Sequence, residues 1–177
     1  MDRDISGLLR LSRPDAFRQM LALLASQSGQ ILNLTTLAGQ VGISTPTPYF
    51  IDLGLRNLLL NQWGKLTEAS DFGFVFQNLI HHMLCAQYPN TPVKFWRTVD
   101  KSKVDFVVEN ESSGGIFPVE VKYSALRRPE VTRSLRSFIT KYQPKEAWVV
   151  NMSSDQVEQI DETTVRFVPL HALLETF

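Results

Sequence analysis

The hydrophobic positions in the first part of the chain recur at helical spacing. Between Pro14 and Gln27, the apolar side chains that would share one helical face are Phe17, Met20, Leu21 and Leu24. The segment NLTTLAGQVGIST, residues 33–45, then has the rhythm of a helix-turn-helix, with Gly42 at the turn. Pro46 and Pro48 follow where a recognition helix would be expected, and they disfavour helix. We therefore predict a helical, partial helix-turn-helix-like segment over residues 1–48.

The next stretch, residues 49–71, reads as a bridge. It contains a short apolar run, YFIDLGL, followed by a helix predicted to end at Asn61 and a loop around Trp63 and Gly64. The pair Gly64-Lys65 does not belong to a phosphate-binding loop, because Leu59 and Leu66 occupy the positions where that loop needs Gly and Ser or Thr. We predict no ATP site in this chain.

From residue 72 onward, the spacing of hydrophobic residues alternates between the period of a helix and that of a strand. A long amphipathic helix is predicted over residues 72–87, and a second helix over Val131–Tyr142. Strands are predicted over residues 93–99, 103–110, 116–123 and 146–152, with a further short strand over 164–168 and a closing helix over 169–177. The order α-β-β-β-α-β predicts an α/β domain over residues 72–177.

The turn SSGG, residues 112–115, would join the second and third strands into a hairpin. If residues 110 and 115 close it, Asp105 lies opposite Glu120, and Lys122 shares their face because side chains alternate along a strand. The opposite face would be a core face, made of Phe106, Val108, Phe117, Val119 and Val121.

Two facing carboxylates repel each other unless a cation lies between them. Lys122 can supply that charge, and so can a divalent metal such as Mg²⁺, which often uses one or two carboxylates together with substrate phosphate. The alternative is an exposed hairpin face that carries ordinary cross-strand ion pairs. The pattern alone leaves both interpretations open.

Charge is unevenly distributed along a chain whose net charge is zero. Residues 91–150 hold eleven of the eighteen Lys and Arg but only seven of the eighteen acids. A basic middle suits a polyanion such as DNA, although a solvated mixed surface has the same composition. The residues that we predict to contact nucleic acid are Lys103, Arg127, Arg128, Arg133, Arg136 and Lys141.

Other features exclude function classes or carry less weight. The single cysteine, Cys85, excludes an internal disulfide, and no apolar run suits a signal peptide or a membrane span, so we expect a cytoplasmic protein without membrane contact. His81 and Cys85 lie at helical i, i+4 spacing, which suits zinc, but a second ligand pair is lacking. A cysteine at the edge of the core is the simpler interpretation.

The succession Asp105, fourteen residues, and then Glu120-Val121-Lys122, within α-β-β-β-α-β order, resembles the PD-(D/E)XK nuclease superfamily. GFVFQNLIHHML, FWRTVDKSKVDFVVE and FPVEVKYS are similar to the C-terminal nuclease-like region of a family of prokaryotic AAA-type ATPases. QILNLTTLAGQVGIST resembles the helix-turn-helix that precedes it in that family, and YFIDLGL resembles the stretch that follows the family's winged region. That family has a recognition helix, a wing and a strand between ISTPT and YFIDLGL, which this chain lacks near residues 46–49.

The resemblance implies roles for the matching residues. Asp105, Glu120 and the Val121 carbonyl would bind Mg²⁺ or Mn²⁺, and Lys122 would be the catalytic lysine. Gln77 occupies the place of an acid in the family's GxxFE pattern, and Gln is a poorer metal ligand than Glu. We expect DNA as a partner, together with an ATPase domain or subunit. Two functions stay open: a metal-dependent nuclease-like domain, and a catalytically inactive module that binds DNA or a partner protein.

Overall fold

The computed structural model describes residues 22, 25–26, 49–61, 69–110, 115–126 and 128–175. The predicted helix-turn-helix-like segment, the SSGG turn, Gly64-Lys65 and Arg127 therefore lie outside the described residues, apart from the helical positions Ala22, Ala25 and Ser26 and the turn's last residue, Gly115. The chain divides into two compact units, residues 1–78 and 79–177.

Unit 1 contains a short helix that is tied to the residues preceding it. Helix α1 spans Leu53–Leu59, and the Asp52 side chain caps it by accepting a hydrogen bond from the Leu55 amide at 3.0 Å. Helix α2 spans Ala69–Gln87, and the boundary between the units falls within it, after Asn78. The buried Asn78 amide accepts from Phe50 N at 2.9 Å and donates to Phe50 O at 2.8 Å, so the segment before α1 is held at α2.

Unit 2 is built around a six-stranded mixed sheet. Its strands are β1 (Lys94–Arg97), β2 (Lys103–Asn110), β3 (Gly115–Val121), β4 (Glu146–Asn151), β5 (Gln156–Ile160) and β6 (Thr163–Pro169), in the order β1-β2-β3-β4-β6-β5. The first three strands are antiparallel, β3, β4 and β6 are parallel, and β5 returns antiparallel to β6. Helices α3 (Arg133–Tyr142) and α4 (Leu170–Leu174) complete the unit. The α/β class predicted from the hydrophobic pattern is confirmed.

The predicted hairpin register is confirmed by the recorded pairs, which run from Phe106↔Val119 to Asn110↔Gly115. On the face predicted as core, Phe106 and Val119 are buried, and His81 of α2 packs against the Phe106 ring with 5.7 Å between ring centroids. The hydrophobic effect explains this face, since burying a Val or Phe side chain contributes roughly 1.5–3 kcal/mol.

The opposite face, which carries the carboxylates, is not an exposed hairpin surface. Helix α3 packs on it through Leu135, Phe138 and Ile139, which form one core cluster with Val107 and Val149. Glu120 is only 5% exposed. The interpretation of this face as solvated ion pairs is therefore wrong for Glu120. It failed because the alternation of the hairpin alone does not show that a later helix covers the polar positions.

One strand differs from the sequence-based prediction, and a proline lies inside another strand as predicted. Strand β5, with the sequence QVEQI, was not predicted, because three of its five residues are polar and Val157 is 62% exposed at the edge of the sheet. Pro118 lies inside β3 although proline usually avoids central strands. It pairs with Val107 on β2, and the recorded pairs with β4 begin only at Val119, so its missing N–H leaves those pairs intact.

Candidate active site

Asp105 of β2 reaches across to the end of β3. Its Oδ2 accepts a hydrogen bond from the Val121 amide at 3.0 Å, and its Oδ1 lies 3.3 Å from Lys103 Nζ. The Asp105 side chain is 11% exposed, whereas that of Lys103 is 63% exposed. Because Val121 stands between Glu120 and Lys122, the Val121 contact places the Asp105 carboxylate beside the Glu-Val-Lys segment.

Glu120 is held from two sides. Its Oε1 lies 2.8 Å from Lys122 Nζ, and its Oε2 accepts a hydrogen bond from Thr132 Oγ1 at 2.7 Å. A buried carboxylate needs such partners, because an unpaired charge in the interior is costly. Glu120 is thus paired with Lys122, while Asp105 contacts the main chain between them. We call these three residues the carboxylate–lysine cluster.

The donor set of this cluster suits a hard cation only in part. Among the described residues, no group of three or more His, Cys, Asp or Glu side chains could hold a metal ion. Two carboxylates are enough for Mg²⁺ when waters and phosphate oxygens supply the other ligands. Each carboxylate oxygen already has a protein partner, but Lys103 and Lys122 are partly exposed and can exchange their carboxylate for water or phosphate. The residues therefore fit a cation that arrives with a phosphate.

The remaining residues predicted for catalysis contribute differently. Val121 brings its main-chain N–H to Asp105. Gln77 belongs to unit 1, where its Nε2 donates to the Tyr49 hydroxyl at 3.1 Å. The Gln77 amide thus takes part in holding the segment before α1, as its neighbour Asn78 does.

The basic residues predicted to bind nucleic acid fall into three groups. Lys103 contacts Asp105, and the exposed Arg133 directly follows Thr132, so both lie near the cluster; Arg128 is also exposed. Arg136 is engaged within the protein, where it donates to Val131 O at 3.3 Å and pairs with Glu158 at 3.2 Å. Lys141 lies at the other end of α3, about 15 Å along a ten-residue helix. Its Nζ sits 5.1 Å from the Tyr142 ring centroid.

The His81 and Cys85 pair forms a sulfur contact. The Cys85 Sγ lies 3.7 Å from Nε2 and 3.9 Å from Nδ1 of His81. Burial and the neighbouring His82 lower the pKa of His81 from 6.5 to about 4, and burial raises the pKa of the Cys85 thiol. A neutral imidazole and a protonated thiol are typical of the edge of a core, which is the interpretation that the sequence favoured.

A cavity of about 550 Å³ lies at the opposite end of β3, away from the carboxylate–lysine cluster. It is lined by aromatic rings together with two charged residues at the start of β4; among its walls are Tyr88, Phe117, Tyr142, Trp148, Lys145 and Glu146. Trp148 is half-buried, and its Nε1 donates a hydrogen bond to Glu146 Oε1 at 2.8 Å. No periodicity could have found this cavity, because its walls come from separate segments of the chain.

Thr132 is the contact residue that the sequence analysis missed. It caps α3, since its Oγ1 accepts from the Leu135 amide at 3.2 Å while the same hydroxyl donates to Glu120. Thr is a preferred N-cap residue, and this preference was the available signal for a helix that begins at Arg133 rather than Val131.

Two regions of the chain match known families. No helix in the described ranges is long and apolar enough to cross a bilayer. No match was found among curated proteins. Residues 1–48 match a family described as a domain of unknown function, DUF8612, and residues 72–173 match another such domain, DUF4143, which is found in proteins associated with AAA-type ATPases. Because the second match covers more than half of the 177 residues, this chain belongs to the DUF4143 family.

Proposed function

We propose that this protein is a DNA-interacting, divalent-metal-dependent nuclease-like domain of the PD-(D/E)XK type, which hydrolyses phosphodiester bonds. The observation that supports the proposal best is the Asp105–Val121 hydrogen bond of 3.0 Å. It brings a carboxylate of β2 to the segment that carries Glu120 and Lys122. Two carboxylates and a lysine at the ends of adjacent strands are the groups that such chemistry needs.

Each member of the cluster has a distinct role in this proposal. Asp105, Glu120 and the Val121 carbonyl would hold Mg²⁺ or Mn²⁺, which supplies charge stabilisation for the phosphate and lowers the pKa of water. Lys122 carries three donors on a flexible stem and is 39% exposed. When it leaves Glu120, it can orient the attacking water or bind a phosphate oxygen.

The charges around the cluster favour a polyanionic substrate. Lys103, Arg128 and Arg133 are exposed, and at the Lys103 ammonium group a phosphate can replace the Asp105 carboxylate. Arg136 is a weaker candidate, because contact with DNA would compete with its bond to Glu158. Contacts of this kind carry little sequence information, so we expect salt-sensitive DNA binding with weak sequence preference.

A cleavage assay tests the proposal. Supercoiled plasmid incubated with the protein and Mg²⁺ or Mn²⁺ should be nicked or linearised, and EDTA should prevent this. Asp105→Asn and Glu120→Gln, which keep side-chain size, should abolish cleavage while DNA retardation persists. Cleavage that survives either substitution would assign the activity to another site or to a contaminant.

A second candidate function is a catalytically inactive module that binds DNA or a partner protein. It is favoured by the complete set of partners around the carboxylates: Lys103 and Val121 on Asp105, and Lys122 and Thr132 on Glu120. The occurrence of the family in AAA-ATPase-associated proteins makes an ATPase domain or subunit the natural protein partner. This candidate requires metal-independent, salt-sensitive DNA retardation without cleavage, or capture of an AAA-type ATPase.

A further inference from the structure

The hydroxyl of Thr132 makes hydrogen bonds to two elements of unit 2, α3 and β3. It accepts a hydrogen bond from the Leu135 amide at 3.2 Å, which caps α3, and it donates to Glu120 Oε2 at 2.7 Å, which ties the helix to β3. A threonine hydroxyl has one proton and two acceptor lone pairs, so both bonds can exist at once. The single proton is directed at Glu120.

The two partners of Glu120 differ in how firmly they are held. Lys122 has a long side chain that is 39% exposed, so water or phosphate can replace the carboxylate at its ammonium group. Thr132 has a short β-branched side chain on a backbone that is fixed as the helix cap, with φ −64° and ψ 158°. Lys122 is therefore the exchangeable partner of Glu120, and Thr132 is the fixed one.

We propose that Thr132 is a positioning residue for Glu120. By holding Oε2, it fixes the rotation of the buried carboxylate and leaves Oε1 as the oxygen that can exchange Lys122 for a cation. The cation in this inference rests on the proposed function, whereas the contact between Thr132 and Glu120 does not. Outer contacts that orient metal ligands typically change metal affinity by about 10–100-fold when they are removed.

A helix cap without influence on Glu120 is the competing explanation, and three substitutions separate the two. Thr132→Ser keeps the cap and the donated proton, and Thr132→Val removes both. Thr132→Gly removes the proton but keeps most of the capping preference, because Gly is tolerated at an N-cap. Ser134→Ala is the matched control: Ser134 lies in the same helical turn, and its hydroxyl accepts from the Lys103 amide at 3.3 Å.

The contact is tested first without metal, by a double-mutant cycle in the full chain. Thr132→Gly, Glu120→Ala and the double variant are unfolded in urea, because an alanine cannot accept the Thr132 proton whereas a glutamine could. The effects on the unfolding equilibrium constant should be non-additive by about tenfold, as expected for a hydrogen bond to a charged group. Additive effects would overturn the inference, whatever the protein does with metals.

Manganese titration by calorimetry then tests positioning on the same proteins. Thr132→Gly and Thr132→Val should both weaken Mn²⁺ binding by about tenfold or more, whereas Thr132→Ser and Ser134→Ala should bind like the wild type. Wild-type affinity in Thr132→Gly would overturn the positioning role. If the wild type itself binds no Mn²⁺, the proposed function fails, and the double-mutant cycle still decides whether Thr132 holds Glu120.

Discussion

The two ends of β3 are built from different chemistry. At its C-terminal end, Glu120 and its neighbours form the carboxylate–lysine cluster, whose partners include two lysines that reach solvent. At its N-terminal end, the Phe117 ring packs against Tyr88 and Trp148, with centroid separations of 5.8 and 5.3 Å. Glu120 follows Phe117 by three residues, about 10 Å of extended chain, so the charged site and the aromatic one lie close together along β3.

The two ends of β3 differ in whether their side chains can exchange one contact partner for another. An ion pair to an exposed lysine contributes little stability and can exchange for a phosphate or a cation. Packed rings lose their contacts when one of them is removed. Even the charge at the aromatic end is committed, because Glu146 Oε1 is bonded to Trp148 Nε1 and to Arg166 Nε, and burial together with Glu146 raises the pKa of Tyr88. We therefore expect ligand chemistry at the first end and stability at the second.

The largest effect should come from the aromatic end. Phe117→Ala removes a side chain that is 8% exposed and should lower the free energy of unfolding by about 3–5 kcal/mol, since the cavity left behind cannot close fully. Urea unfolding measures the loss, and it should not change with salt. Val157→Ala, at a position that is 62% exposed, is the control and should change stability by less than about 0.5 kcal/mol. Equal losses of unfolding free energy in both variants would contradict a special contribution of the aromatic end to stability.

At the charged end, Lys122→Ala should separate activity from stability. Lys122 is 39% exposed but the Glu120 side chain is only 7% exposed, so the loss in unfolding free energy should be about 1–3 kcal/mol, less than that of Phe117→Ala. The rate of Mg²⁺-dependent DNA cleavage should fall about 100-fold, as is usual when one charge-stabilising donor is removed. Lys145→Ala, an exposed lysine in the wall of the cavity, should leave the rate unchanged. A comparable fall in both variants would mean that only overall charge matters.

A change of pH tests the contact between His81 and Phe106, which lies on the core face of β2. The pKa of His81 is lowered to about 4 in the folded protein, so between pH 6.5 and 4 the unfolded chain binds a proton that the folded chain does not. The contribution of this group to stability is therefore present above pH 6.5 and is lost as the pH falls toward 4. In urea unfolding at several pH values, the free energy of unfolding of His81→Leu should fall less steeply with decreasing pH than that of the wild type. His171→Gln, in α4, should keep the wild-type slope.

The smallest effect should come from single basic residues near the cluster. Lys103→Ala should change stability by less than about 1 kcal/mol, because its side chain is 63% exposed. In DNA retardation at several salt concentrations, the slope of log affinity against log salt should decrease in magnitude by about one. Lys141→Ala, at the far end of α3, should leave that slope unchanged. A larger change in this slope for Lys141→Ala than for Lys103→Ala would indicate that DNA binds near the aromatic end and not at the cluster.

The sequence predicted the part of the site that depends on local pattern. Alternation along β2 and β3, together with one turn, was sufficient to pair the strands and to bring Asp105 toward Glu120. It also placed Phe106 and Val119 on a core face. These inferences succeed because the period of a strand is two and one pair fixes the register of all the others.

What depends on contacts between distant segments was not predictable from the sequence. The burial of Glu120 and its bond to Thr132 require α3 to fold back over the hairpin. The engagement of Arg136 requires β5, a polar edge strand with no clear alternation, to bring Glu158 alongside the helix. In each case the sequence shows the residue type, and only tertiary packing shows its partner.

The most direct test of the central claim is a calorimetric titration of the full chain with Mn²⁺. Wild-type protein should bind the ion at a site that is lost in both Asp105→Asn and Glu120→Gln, while Glu146→Gln, at the aromatic end, should bind as the wild type does. Absence of binding to the wild type, or unchanged binding in Asp105→Asn, would contradict a divalent-cation site at the carboxylate–lysine cluster.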